Sequence, residues 1–121
     1  MQKPLRNYPK RGEVYIADLD PAFGKEIHKK RPVLIISGNN FNQIMHTVVL
    51  LPLSSIIPQV IGPDLMIFPK ITALDKESVL LLTQIRAVDK IRLIKKVGKI
   101  SMTYLKEVEE ALKLILGLTQ P

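Results

Sequence analysis

From Pro32 to Pro69 the chain carries no Lys or Arg, and Asp64 is the only charged residue. So long a stretch without charge has to supply interior, because little in it rewards exposure to water. Within it, Pro32–Ser37 (PVLIIS) and Thr47–Leu53 (TVVLLPL) are β-branched and aliphatic runs of strand length, the first ended by Gly38-Asn39-Asn40. Pro, Asn, His and Ser interrupt the apolar residues long before the ~20 needed to span a bilayer. With 121 residues the chain predicts one domain, large enough to bury roughly two-thirds of the surface its unfolded form exposes. It has no cysteine, which excludes disulfide scaffolds, thiol catalysis and Cys-ligated zinc together. The first residues, Met1-Gln2-Lys3-Pro4-Leu5-Arg6, lack the apolar stretch of a signal peptide. The expectation is a soluble, cytoplasmic protein with no membrane contact.

Charge collects on either side of the uncharged stretch. The 18 Lys and Arg outnumber the 11 Asp and Glu, for a formal +7. One block holds Lys3, Arg6, Lys10, Arg11, Lys25, Lys29, Lys30 and Arg31; the other holds Lys70, Lys76, Arg86, Lys90, Arg92, Lys95, Lys96 and Lys99. Such a balance invites a polyanionic partner. Most single lysines are simply solvated. The triplet Lys29-Lys30-Arg31 differs, because it runs directly into a strand that is expected to be buried.

Around these blocks the pattern reads as short strands. Glu13–Leu19 opens after Gly12 and turns at Asp20-Pro21, and Ala22–Lys30 is a loop. Pro52 predicts that the Thr47–Leu53 strand is an edge or bulged, since Pro cannot donate to a ladder. Leu65–Phe68, Ser78–Leu82, Gln84–Val88 and Lys95–Ile100 are further short strands. The period then changes: Leu105, Val108, Leu112 and Ile115 or Leu116 recur at helical spacing, with Glu107, Glu109, Glu110 and Lys113 on a solvated face. Ser101 is the expected N-cap and Gly117 the stop. The expected fold is mainly β with α, a small antiparallel barrel or sandwich with a C-terminal helix against it.

Few residues remain to carry chemistry. His28 and His46 have no acidic pair at ligand spacing, so neither a metal site nor a cofactor is expected. The chain contains no GxxxxGK[ST], GxGxxG or GxSxG. Arg31-Pro32 stands out: Pro32 biases Arg31 toward extended backbone, projecting a forked, permanently charged guanidinium suited to a phosphate. A salt bridge to Glu26 or Asp18 is the competing use. Ser54-Ser55 ends the TVVLLPL run, placing a hydroxyl at a strand end, where turn formation is the ordinary role.

The order of these residues resembles the MazF/PemK toxins. It runs through Arg11-Gly12-Glu13-Val14-Tyr15, Asp18-Leu19-Asp20-Pro21, Gly24-Lys25-Glu26 and Arg31-Pro32-Val33-Leu34. It continues through Thr47-Val48-Val49, Pro52-Leu53-Ser54-Ser55, Asp75-Lys76-Glu77-Ser78-Val79 and Leu81–Lys90. The likeness spans roughly residues 10 to 118, leaving 1–10 as an N-terminal extension to a single domain over 11–121. It implies an SH3-like antiparallel β-barrel with a C-terminal helix, usually a homodimer. The implied activity is that of an mRNA interferase, a sequence-specific endoribonuclease acting on single-stranded RNA, held in check by a cognate antitoxin. Carried over by position, Arg31, Ser54 and Glu26 would be catalytic. Lys25, His28, Lys29, Lys30, Ser55, Gln84 and Arg86 would bind RNA, with Gln84 and Arg86 in the strand that contributes to the groove. Three departures bear on base specificity more than on activity: Ile27-His28-Lys29 in the loop, Lys25 in place of Ser or His, and Thr83 in place of an acid.

Metal-free cleavage would use the substrate's 2′-OH as nucleophile, which also separates RNA from DNA. Arg31 would stabilise the phosphorane-like state and Ser54 would bond a phosphate oxygen. The 2′-OH proton would pass to Glu26, His28 or Arg31, the last a poor base because its pKa exceeds ~12. Two alternatives share parts of this reading: a non-catalytic CcdB-like toxin binding DNA gyrase, and a nucleic-acid-binding barrel without chemistry. Few aromatics are available for base stacking, which weakens the second.

Overall fold

The computed structural model describes residues 7–19 and 30–119. Seven strands are present in that part: β1 (Glu13–Asp18), β2 (Lys30–Ile35), β3 (Thr47–Ser54), β4 (Leu65–Ile67), β5 (Val79–Leu81), β6 (Arg86–Asp89) and β7 (Leu93–Lys99). A short helix α1 (Asn39–Ile44) precedes β3, and α2 (Met102–Ile115) ends the described fold. All pairings are antiparallel, in the order β4-β5-β3-β2-β1-β7, with β6 sharing the free edge of β3. The sheet is open in this order yet barrel-like, with α2 packed against it, as the sequence predicts.

Alternation along the strands divides the interior in two. Val33, Ile35, Val48, Leu50 and Val88 form one buried cluster with Ala17. Leu34, Leu51, Leu53, Leu80 and Phe68 form the other, closed by Leu105 and Val108 of α2. Ser101 caps α2, its Oγ accepting from the Tyr104 N–H at 3.1 Å. Gly117 stops the helix at φ +72°: its N–H reaches the Leu114 carbonyl at 3.2 Å and the Leu118 N–H reaches that of Lys113 at 2.8 Å. Those two bonds satisfy carbonyls that the helix end would leave open, and the positive φ suits glycine. Glu109 is not merely solvated, because it pairs with Arg11 Nη2 at 2.8 Å and ties α2 to the start of β1.

Three expectations change. Pro52 lies in the central strand rather than at an edge. On one edge of β3 the ladder to β6 ends at Leu50 and the ladder to β5 begins at Leu53, so Pro52 falls in the gap where no N–H is needed. The Gly38-Asn39-Asn40 turn continues into α1, held by buried Asn42, whose Nδ2 donates to the Ser37 carbonyl at 2.9 Å. Finally, part of the uncharged stretch is surface: residues 55–61 are exposed, Ile56 at 83% and Val60 at 81%.

Candidate active site

β2 begins at Lys30, earlier than the apolar pattern predicts, and this draws Arg31 into the sheet. Its Cα pairs with Ala17 of β1. On its other side, β2 pairs with β3 through Val33–Pro52, Leu34–Leu51 and Ile35–Leu50. Extended past the last ladder pair, the same offset would bring Arg31 level with Ser54 two residues on and Lys30 level with Ser55 three residues on. Residues level with each other across antiparallel strands share a face, and Arg31 and Ser54 both line one cleft. The ladder stops at Val33–Pro52, and where the strands part they leave a cleft of about 630 Å³. A size of this order falls within the ~300–1,000 Å³ of ordinary ligand sites.

Lys30, Arg31 and Pro32 form one wall of the cleft, and Leu53, Ser54 and Ser55 form the next. The segment Ala73–Lys76 with Ser78 closes it. Arg31 is half-buried and makes no ion pair with any described residue. Ser54 is half-buried, and its Oγ accepts from the Ile56 N–H at 3.1 Å. That bond occupies a lone pair and leaves the O–H to donate. Three cationic side chains (Lys30, Arg31 and Lys76) face one carboxylate, Asp75. The arrangement suits an anionic ester: a fork, a point charge and a hydroxyl donor converge on one concavity.

The structure brings Arg31, Ser54, Lys30 and Ser55 to the lining of one cleft. It sets two residues apart. Gln84 is exposed and ends a 3₁₀ turn over Leu82–Gln84 rather than lying in a strand. Arg86 is exposed, opens β6 opposite Leu50, and lies about four residues along β3 from Ser54, ~13 Å at strand rise. Neither lines the cleft. Lys25, Glu26, His28 and Lys29 lie outside the described residues. Asp75, Lys76 and Ser78 line the cleft without having been assigned a role. The signal for them was present in the Asp75-Lys76-Glu77-Ser78 run, a cluster of charge between the apolar strands β4 and β5. Among the described residues no group of three His, Cys, Asp or Glu could hold a metal ion.

The architecture is a small, barrel-like antiparallel sheet with one backing helix, open where two strands part onto a cleft lined by Lys30, Arg31 and Lys76. The chain belongs to the PemK-like, MazF-like toxins of type II toxin–antitoxin systems, whose family model matches residues 10–116. Solved structures agree in fold. The MazE–MazF complex of Deinococcus radiodurans matches at a TM-score of 0.78 with 22% identity, over 92% of this chain and 97% of that one. A mycobacterial endoribonuclease in complex with its cognate antitoxin matches at 0.74 with 26% identity, over 93% and 99%. A mycobacterial endoribonuclease on its own matches at 0.74 with 25% identity, over 95% and 97%.

Proposed function

We propose that this toxin is an endoribonuclease that cuts single-stranded RNA without a metal, by attack of the substrate's own 2′-OH. The observation that supports the reading is that Arg31 and Ser54 line one cleft where the β2–β3 ladder ends. As the 2′-oxygen bonds to phosphorus, charge grows on the non-bridging oxygens. Arg31 offers them two parallel N–H groups, and Ser54 donates its free O–H. Preorganised donors of this kind act where charge develops, and each is worth ~10²–10³ in rate. The 2′-OH proton leaves to Glu26 or His28, the 5′-oxygen departs and takes up a proton, and the products are a 2′,3′-cyclic phosphate and a 5′-OH. Lys30 and Lys76 hold flanking phosphates, with Ser55 at the lip. Gln84 and Arg86 would meet only RNA that extends beyond the cleft.

Mycobacterial relatives are endoribonucleases, and one is solved with its cognate antitoxin. A basic cleft is complementary to an acidic antitoxin segment, which would compete with RNA for the same charges. A homodimer in the cytoplasm completes the reading, and among the described residues no helix is long and apolar enough to cross a membrane.

The test is cleavage of single-stranded RNA in excess EDTA, with the ends mapped. Cyclic-phosphate and 5′-OH ends are expected, and a 2′-deoxy nucleotide at the scissile position should stop the reaction. Cleavage of that deoxy substrate, or no cleavage of any RNA, would overturn the proposal.

A further inference from the structure

The Leu74–Ser78 segment has a second side. Leu74, Lys76 and Ser78, which close the Arg31 cleft, also line a neighbouring cleft of about 380 Å³. Its character is different. Phe68, Ile57, Ile67, Pro69 and Ile71 give it an apolar surface, while Lys70, Lys76 and Glu77 supply the charge. The apolar part is held in place. Phe68 is 5% exposed and meets Tyr104 edge to face, centroids 5.7 Å apart, and the Tyr104 hydroxyl donates to the Ile67 carbonyl at 2.8 Å. Ile71 lies so close to β7 that a Cβ at Gly98 would stand 3.0 Å from its Cδ1. The surface is thus formed before any ligand arrives.

We propose that this second cleft is a nucleobase subsite, taking the base of a nucleotide next to the scissile phosphate. The inference rests on the nuclease reading above and extends it to substrate selection. A phosphodiester gripped by Arg31 and Ser54 continues into sugars and bases on both sides. The Lys76 wall is shared, so a strand that crosses it passes from the polar cleft to the apolar one. Lysines at both clefts hold the backbone while a flat heterocycle lies on the apolar surface, the usual division of labour for single-stranded nucleic acid. An apolar peptide side chain would also fit the cavity. The cationic rim and the shared wall favour a base attached to phosphate.

Ile57 is the residue to vary, because it lines the cleft, is 37% exposed and belongs to neither buried cluster. Ile57→Trp should fill the cleft and Ile57→Ala should widen it, both without unfolding the chain. The substrate is a short single-stranded RNA recovered from a random pool by cutting or binding, with one abasic nucleotide placed at each position in turn. In the wild type, one abasic position beside the cut should lower kcat/KM about tenfold, mainly through KM. Ile57→Trp should show the same loss on intact RNA and no further loss at that abasic position.

Equal sensitivity of wild type and variant at every position would overturn the subsite. So would unchanged RNA kinetics in both variants with weaker inhibition by the antitoxin, which would make the cleft a peptide site. The same set as 2′-fluoro oligonucleotides, which cannot supply the nucleophile, is titrated by fluorescence anisotropy. Base-dependent binding of that set with no cleavage of the matching RNA sinks the reaction and keeps the subsite, whereas cleavage of the RNA without base dependence sinks the subsite alone. A pool neither bound nor cut overturns both.

Discussion

If Arg31 and Ser54 grip one phosphate, their losses must not multiply. Ser54→Ala removes the free O–H and should lower single-turnover cleavage ~10²-fold, the low end for one preorganised donor. Arg31→Lys keeps the charge and loses the fork, for about tenfold, since a point charge replaces two aligned N–H groups. Independent residues would give about 10³ in the double variant. Opposed residues on one oxygen pair should instead couple by ~1.4 kcal/mol, within the ~0.5–3 kcal/mol seen for contacting groups, and the double variant should stay near 10². Stability has to be followed beside rate, because Ser54 Oγ also accepts from the Ile56 N–H at 3.1 Å. Losing that exposed turn bond should cost about 1 kcal/mol and a few degrees in Tm. Arg31→Lys should cost less, since it breaks no ion pair among the described residues. The assay is end-labelled RNA with enzyme in excess and EDTA present, with thermal melts of all four proteins. A double variant at the full product, or single variants within threefold of wild type, would refute a shared phosphate.

Lys76→Ala should weaken RNA binding and reduce the slope of log K against log salt by about 1, measured by titration at several salt concentrations. Glu13 is buried, which raises its pKa, but the Lys96 ammonium at 2.5 Å and the Lys10 N–H at 2.7 Å outweigh burial and hold it below its ordinary 4.5. Its stabilisation is therefore present above that value and is lost as pH falls through the lower folded pKa. Urea melts of wild type and Glu13→Gln should differ at neutral pH, by about 1 kcal/mol, and converge in acid. Gly117→Ala should cost about 1 kcal/mol through its positive φ alone, because nothing lies within 4 Å of the added methyl, and should leave cleavage unchanged. Arg11→Ala should lower Tm by a few degrees at constant activity, since it cuts both the Glu109 pair and the Nε bond to the Ile36 carbonyl at 3.1 Å.

Several elements were legible because their determinants are local. The α2 helix is an example: spacing of Leu105 and Val108, Ser101 as cap and Gly117 as stop all appear in order along the chain and act over a few residues. The α1 turn was not, because Asn39–Ile44 is secured by Asn42 reaching back to Ser37 and by the Arg11 N–H donating to Asn39 Oδ1 at 2.7 Å, contacts that a local pattern does not show. Pro52 misled for a related reason. Its missing N–H argues for an edge only if the other edge of β3 keeps one partner, and β3 exchanges β6 for β5 at that residue. Ile56, Ile57, Val60 and Ile61 resemble core residues in type, since hydrophobicity alone does not say which face will find a partner, and only the interrupting Pro58 and Gln59 hint at surface.

Residue order alone determined a short-stranded β fold with a terminal helix, an electrically neutral interior, and Arg31 and Ser54 as the groups to watch. Side-chain chemistry and near-neighbour periodicity are enough for that. Only the tertiary structure decided that Arg31 and Ser54 line one cleft where β2 and β3 part, that Lys76 borders two clefts, and that Gln84 and Arg86 line neither. Those relations depend on strand register and on which strands share an edge, and a slip of one residue would turn every side chain of the strand to the opposite face.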